Sequence, residues 1–393
     1  MSAGRVVIIR ADWMCKRDSL YYEPLMGRYD LLGVSVRRSK HDLSLIDFPV
    51  VTPWSPDSAL ARLGIFQRII DKAFHLRSEN LMWFGGFENI CRGAAILDVA
   101  ETFHPFCAQA VRFRQNNPIK LVVRAHENIP FAHHNLGFRR KTKRAIFKWA
   151  DAYITCSKLG KTALVLEGAP ADKIHVIPIG ADLSVLKPAA KDKELSCRLG
   201  IEQNDFVLLF AGRITWEKGI FTALYAAALC REIPGMKLII AGDGPEMPML
   251  HKRIAELSLE DKVRFTGRVP IDQMPKLYST ADVVVVPSIS TAKWQEQFGA
   301  VIMEAMACGK GLIVSDSGSI PEVAGDAALY VPQGSHTALA DTIMHLYSNK
   351  DILADLAKRA RTRAQELYDK NKVAGQIGQL YDSLLNETTT DNS

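Results

Sequence analysis

No run of about 18 uninterrupted apolar residues occurs in the 393 residues, so nothing in the chain reads as a membrane-spanning helix. A secretory leader is not expected either: the apolar opening Val6-Val7-Ile8-Ile9 is too short for one, and Asp12 follows almost at once. Cysteine is sparse and unpaired. The seven residues Cys15, Cys91, Cys107, Cys156, Cys197, Cys230 and Cys308 are odd in number, scattered, and nowhere at metal-ligand or redox spacing. That distribution excludes a disulfide framework and a zinc site, and implies a reduced, cytoplasmic setting in which most thiols serve as small core residues. There is no internal sequence repeat, which excludes a solenoid or propeller.

What is present is ordinary for a soluble globular protein: 48% hydrophobic and 23% charged residues. The length suits two domains of roughly 100–200 residues each. Charge is uneven. Through Leu186 there are 26 Lys and Arg against 17 Asp and Glu, a balance of +9, whereas the remainder carries 23 against 26, a balance of −3. A basic first half fits an anionic partner or membrane surface, or simply a solvated basic face.

The second half alternates short apolar runs with helical stretches. Strands are expected at Phe206–Phe210, Lys237–Ala241, Val263–Thr266, Val283–Val286, Gly311–Val314 and Ala328–Val331. Strands separated by ten to twenty helical residues imply right-handed crossovers, hence an α/β fold with a doubly wound sheet. The first half has the same rhythm, with strands at Val6–Ile9, Leu31–Val36, Ala95–Val99, Leu121–Ala125, Ala152–Thr155 and Val176–Pro178, and helices that include Ser58–His75 and Arg139–Ala150. Residues 37–56 have no firm period, and Pro178–Lys193 reads as a linker. The expected division is an N-terminal domain over 1–184, a C-terminal domain over 185–369, a final helix at about 370–388 crossing back to the first domain, and a polar tail at 386–393. Two such domains facing each other make a cleft at the carboxyl ends of their strands, where open α/β sheets bind ligands.

Candidate chemistry concentrates at those ends. Gly212-Arg213 closes one strand and Lys218-Gly219 opens the next helix. Glycine permits the tight turn, a helix N-terminus favours anions, and Arg213 and Lys218 add a bidentate clamp and a point charge, so the pattern suits phosphate. Glu296-Gln297-Phe298-Gly299 precedes a helix containing Glu304. The backbone N–H groups of Phe298 and Gly299 can meet phosphate or sugar, Glu296 can accept from sugar hydroxyls, and Glu304 can span a ribose diol. Glu304 sits in a helix that is apolar nearly all round, and a buried carboxylate without a partner is costly, so a ligand is the expected partner. Two glutamates also suggest a glycosidase acid and nucleophile, but Arg213 and Lys218 would have no purpose beside them.

Over about Val207–Pro332 the chain resembles glycosyltransferase family 4, whose members have the GT-B fold and retain the donor's anomeric configuration. The resemblance rests on Ala211-Gly212-Arg213, Lys218-Gly219, Ala241-Gly242-Asp243-Gly244-Pro245, Phe265-Thr266-Gly267, Ala281-Asp282 with Val286-Pro287-Ser288, Glu296 separated by seven residues from Glu304-Ala305-Met306-Ala307-Cys308-Gly309, and Pro321-Glu322. It implies a donor site of Gly212, Arg213, Lys218, Gly242, Arg264, Thr266, Phe298, Gly299 and Glu304, in which Arg213 and Lys218 bind the diphosphate, Glu304 the ribose and Glu296 the transferred sugar. The base would lie near Arg264–Gly267. Ile177-Pro178-Ile179-Gly180-Ala181-Asp182 resembles the family's inter-domain linker, with Ile179 where asparagine is usual.

In the first half, Leu121–Asn128 is a strand ending in Ala125-His126-Glu127-Asn128, similar to the family position where a histidine meets the donor sugar. His126, Glu127 and Glu101, which ends the preceding strand, are the acceptor-side candidates; the other reading of His126 is a hydrogen-bonded loop histidine. The family's glycine-rich turn after the first strand is missing: Arg10-Ala11-Asp12-Trp13 stands there. The basic stretch Arg139–Trp149 reads either as a helix lying on anionic lipid or as a surface helix packing Ile146, Phe147 and Trp149 into the core. The resemblance therefore implies a hexosyltransferase using a UDP- or GDP-linked sugar and a glycan or lipid-linked acceptor, in surface polysaccharide or glycolipid assembly. No cofactor, metal or nucleic-acid partner is expected, and a peripheral site on the inner membrane face is compatible. The rivals are a retaining disaccharide phosphorylase, a nucleotide-sugar epimerase, or a catalytically silent carbohydrate- or partner-binding module.

Overall fold

The computed structural model of the chain describes residues 4–56, 82–133 and 136–390. The helix expected at Ser58–His75 lies outside the described residues. The chain forms two compact units: Met1–Gly180 with Lys370–Ser393, and Ala181–Asp369.

The first unit holds a seven-stranded parallel sheet: β1 (Arg5–Ala11), β2 (Asp30–Ser35), β3 (Val50–Val51), β4 (Ala94–Ala100), β5 (Lys120–Ala125), β6 (Ala152–Thr155) and β7 (Ile174–Val176), in the order β3-β2-β1-β4-β5-β6-β7. Strand β3 falls within residues 37–56, where only loop or short irregular strand is expected, and β7 ends two residues before Pro178. One sheet face is apolar, with Val7, Ile9, Leu97, Val99, Leu121 and Val123 in a single core with helix Pro105–Asn116. The other face carries buried charge. Arg10 of β1 pairs with Asp98 of β4 at 2.7 Å, and the Tyr22 and Tyr381 hydroxyls donate to the second oxygen of Asp98 at 2.8 and 2.6 Å. Tyr381 belongs to helix Lys370–Thr390, which continues past residue 388. A buried ion pair is stable only when its remaining oxygens are satisfied, and here two phenols do that.

The second unit holds a six-stranded parallel sheet: β8 (Phe206–Ala211), β9 (Met236–Ala241), β10 (Val263–Gly267), β11 (Val283–Val286), β12 (Gly311–Ser315) and β13 (Leu329–Val331), in the order β10-β9-β8-β11-β12-β13. Runs such as Val283-Val284-Val285-Val286 form central strands because β-branched residues buried on both faces suit a sheet covered by helices on both sides. The α/β class and the two doubly wound, Rossmann-like sheets expected from the sequence are both present. In each sheet the winding reverses once, between β1 and β4 and between β8 and β11, which opens a crevice at the carboxyl ends of those pairs.

Candidate functional site

In the second unit the crevice is built by the exits of β8 and β11. After β8 the chain passes Gly212-Arg213 and makes a 3₁₀ turn, Trp216–Lys218, before helix Ile220–Leu229. Gly219 caps that helix with φ 72°, and a Cβ there would stand 1.9 Å from the Pro287 carbonyl oxygen, so only glycine lets the two exits meet. The Ile289 N–H donates to the Glu217 carbonyl at 2.8 Å and locks them together. The ladder also extends past the strand ends on the other side: Gly212 N–H donates to Ala241 at 2.9 Å, and Gly242 N–H to Gly267 at 2.8 Å. Gly242 has φ 144°, with no room for a side chain against the Gly212 carbonyl.

Lys218 and Glu296 come together here. The ammonium Nζ lies 3.0 and 2.7 Å from the two oxygens of the Glu296 carboxylate, and 4.9 Å above the Trp294 ring. Ser288, just beyond β11, donates from Oγ to Glu296 Oε2 at 3.0 Å. Glu296 is only 6% exposed, so this is a partly desolvated cluster with its charge fixed in place. Arg213 is 63% exposed and approaches Glu217 at 3.8 Å, a reach compatible with turning onto a ligand. Gly299, with φ 75°, caps helix Ala300–Ala307 and aims that helix's first N–H groups outward from its start, while the Phe298 ring is buried edge-on against Tyr368.

Two donor candidates sit differently from the expectation. Glu304 is buried, at 3% exposure, but it has a protein partner: the Tyr278 hydroxyl donates to its Oε2 at 2.7 Å. Burial alone therefore does not demand a ligand. The Arg264 side chain is occupied at the amino end of β10, donating to the carbonyls of Leu199, Glu260 and Val263 at 2.7, 3.0 and 3.0 Å. It stands apart from the crevice, whereas Thr266 and Gly267 lie at the carboxyl end.

In the first unit, β1 exits through Ala11 with φ 51° and β4 through Glu101 with φ 62°. Both adopt the left-handed conformation without being glycine, a strain that clusters at functional crevices. Alanine thus does the turning where a glycine-rich turn is missing. Glu101 Oε1 accepts from the His126 backbone N–H at 3.1 Å and lies 3.1 Å from His126 Nδ1. Burial pushes the Glu101 carboxyl up, but the hydrogen bonds and charge of His126 outweigh it and hold it below the usual glutamate range. Glu127 caps its own loop, accepting from Asn128 and Ile129 N–H groups at 2.9 and 3.0 Å, and its other oxygen meets His133 Nε2 at 3.0 Å. His133 stacks on Phe103 at 4.0 Å and its Nδ1 lies 3.1 Å from the Arg139 guanidinium.

That last contact bears on the basic helix, which spans Gly137–Trp149. Arg139, Thr142, Lys143 and Ile146 form its buried stripe, with Lys143 paired to Glu167 at 2.7 Å, and Phe147 and Trp149 pack against the core. Ile146, Phe147 and Trp149 face inward, whereas Arg140, Lys141, Arg144 and Lys148 are exposed together with Phe138 in the first turn. Sequence reasoning assigned no role to Ser288, Trp294, Tyr278, Phe103 or His133. Only Ser288 carried a signal, as part of the Val286-Pro287-Ser288 block.

Residues 191–363 match the family described as glycosyl transferases group 1, and residues 36–185 match glycosyltransferase family 4. The chain is 29% identical over 258 residues to the alpha-maltose-1-phosphate synthase of Mycolicibacterium smegmatis, covering 61% of this chain and 65% of that protein. It is 26% identical over 298 residues to the alpha-D-kanosaminyltransferase of Streptomyces kanamyceticus, covering 72% and 74%. Further curated relatives are matched over 43% to 50% of their length, so the chain spans about half of several of them. Among solved structures, Anabaena HepE in complex with UDP aligns over 96% of this chain and 100% of its own, with a TM-score of 0.75 at 21% identity, a likeness of fold. Among the described residues, no helix is long and apolar enough to cross a membrane.

Proposed function

Because the chain belongs to the family 4, or group 1, glycosyltransferases, we propose that it is a retaining hexosyltransferase that takes its sugar from a nucleoside-diphosphate donor. The acceptor is a hydroxyl of a glycan or lipid-linked glycan in surface polysaccharide or glycolipid assembly. The observation that carries this reading is the Lys218–Glu296 pair, held at 2.7 Å where β8 and β11 diverge. A diphosphate entering the crevice replaces the Glu296 carboxylate as the counter-ion of Lys218 and leaves Glu296 to accept from the sugar hydroxyls. Arg213 swings onto the same phosphates, and the helix start at Gly299 adds N–H groups. Glu304, oriented by Tyr278, meets the ribose. A UDP-linked donor is the first to test, since HepE binds UDP.

In this reading the acceptor oxygen attacks the anomeric carbon on the face the leaving group departs from. The carbon–oxygen bond to the diphosphate breaks, the electron pair stays on the phosphate, and that phosphate oxygen takes the acceptor proton. No enzymic nucleophile is needed; positioning and charge stabilisation supply the rate. His126 faces the donor sugar. The charge on Arg213 and Lys218 serves where a metal otherwise would, so turnover is expected to persist in chelator.

The test is a panel of UDP- and GDP-sugars assayed with Lys218→Ala, chelator present. We expect kcat/KM to fall by about 10²–10³, the scale of one lost charge-stabilising donor. Unchanged turnover would remove the phosphate assignment. Sugar release that depends on inorganic phosphate would mark a phosphorylase, and tight binding without turnover a silent module.

A further inference from the structure

Glu101 is tied to His126 more closely than a surface staple requires. It ends β4 in a left-handed conformation, φ 62°, which is strained for a non-glycine residue and persists only where the surroundings impose it. Its own N–H continues the ladder to the Arg124 carbonyl at 2.8 Å, placing it beside the exit of β5. One carboxylate oxygen, Oε1, then serves both the backbone N–H and the ring Nδ1 of His126, each at 3.1 Å. The other, Oε2, is buried without a hydrogen-bond partner. A loop staple is complete with the backbone contact; the ring contact does something further. An ionised carboxylate only accepts, so the Nδ1 facing it must carry the proton, and the neutral ring then presents Nε2 as an acceptor. His104 and Cys107 are further titratable groups that interact with this carboxylate.

Resting on the reading that His126 faces the donor sugar, we propose that Glu101 is a positioning residue: it holds His126 in the Nδ1–H tautomer, so that Nε2 accepts from a substrate hydroxyl. Glu101 touches no reacting atom; it acts through the ring.

The tautomer can be read directly. Long-range ¹H–¹⁵N correlation spectra of the ligand-free full chain, at a pH where the ring is neutral, should place the His126 proton on Nδ1. In Glu101→Ala the proton should move to Nε2. In Glu101→Gln, whose amide oxygen still accepts, it should stay on Nδ1. Transfer assays run in parallel. His126→Ala and Glu101→Ala should each lower kcat by on the order of tenfold to a hundredfold, the scale of partners that orient a functional imidazole. The double variant should be no slower than His126→Ala alone. Glu101→Gln should recover most of what Glu101→Ala loses. A tautomer that ignores residue 101, or losses that multiply in the double variant, would overturn the proposal. Turnover unchanged in His126→Ala, with a tautomer that still follows residue 101, would instead overturn the placement of His126 at the sugar. A melting comparison identifies any variant that fails to fold, and the Gln variant then carries the test.

Discussion

A carboxylate buried as deeply as Glu304 has to be satisfied by something, and the Tyr278 hydroxyl at 2.7 Å supplies part of it. Tyr278→Phe leaves the Glu304 oxygen without that donor. We expect a loss of about 1–3 kcal/mol in denaturant unfolding, the cost of a buried acceptor left unmade, together with weaker uridine-nucleotide binding. Nothing local announces this pair. Tyr278 is 26 positions from Glu304, on helix Met274–Thr280, and only the folding of β11 between them brings the two together. The same holds for Trp294 under the Lys218 ammonium. By contrast the clustering of Gly212, Lys218, Glu296 and Gly299 around the exits of β8 and β11 was legible, because glycines and charges just past apolar strand runs fall at the strand ends. The engagement of the Arg264 side chain was not legible, for a physical reason. Arg264 lies in the right strand, but at the amino end, where its guanidinium closes carbonyls of neighbouring turns.

Elements were easier to read than pairs. Central parallel strands are apolar on both faces, so β8, β9, β11 and β12 declare themselves as short continuous runs. The two-residue edge strand β3 does not, since half its surface faces out. Helix Gly137–Trp149 left two readings open because its cations and its apolar residues are equally prominent in sequence. Its turn geometry separates them: positions 139, 142, 143 and 146 share the buried face. Arg139 and Lys143 are spent on His133 and Glu167, leaving four exposed cations and a single exposed large apolar side chain, Phe138, rather than an apolar stripe. Binding of this helix to anionic liposomes should therefore be mainly electrostatic. Co-sedimentation is expected at low ionic strength and should vanish by about 0.5 M salt, where the Debye length is only a few ångströms. Retention at that salt would mean apolar insertion, for which Phe138 is the candidate on this helix.

For the whole molecule, the connection that matters most is Asp98 with Arg10, Tyr22 and Tyr381, which joins residues 283 positions apart within one unit. Burial pushes the Asp98 carboxyl up, but Arg10, Arg124 and the phenols outweigh that and hold it below the ordinary aspartate value. A folded-state value below the unfolded one stabilises the fold above the unfolded value, about 3.9, and that stability is lost as pH falls through the folded value. Thermal melts from about pH 6 to about pH 2.5 should show this acid limb in the native protein. Asp98→Asn should flatten it while lowering stability at neutral pH by about 3–5 kcal/mol, the cost of stranding the buried Arg10. Tyr381→Phe should cost about 1.5–3 kcal/mol and keep the limb.

A Cβ added at Gly180 would stand 3.1 Å from the Lys370 Cα, and Ala181 bridges Asp369, so the chain leaves the first unit and re-enters it through two adjacent strands of backbone. During synthesis, seven strands of that unit emerge with their buried arginine–aspartate pair still short of a donor. The missing phenol arrives only after the entire intervening unit has been made. The first unit therefore completes its buried cluster only with its own distant helix, while the second is contiguous in sequence and needs no later segment.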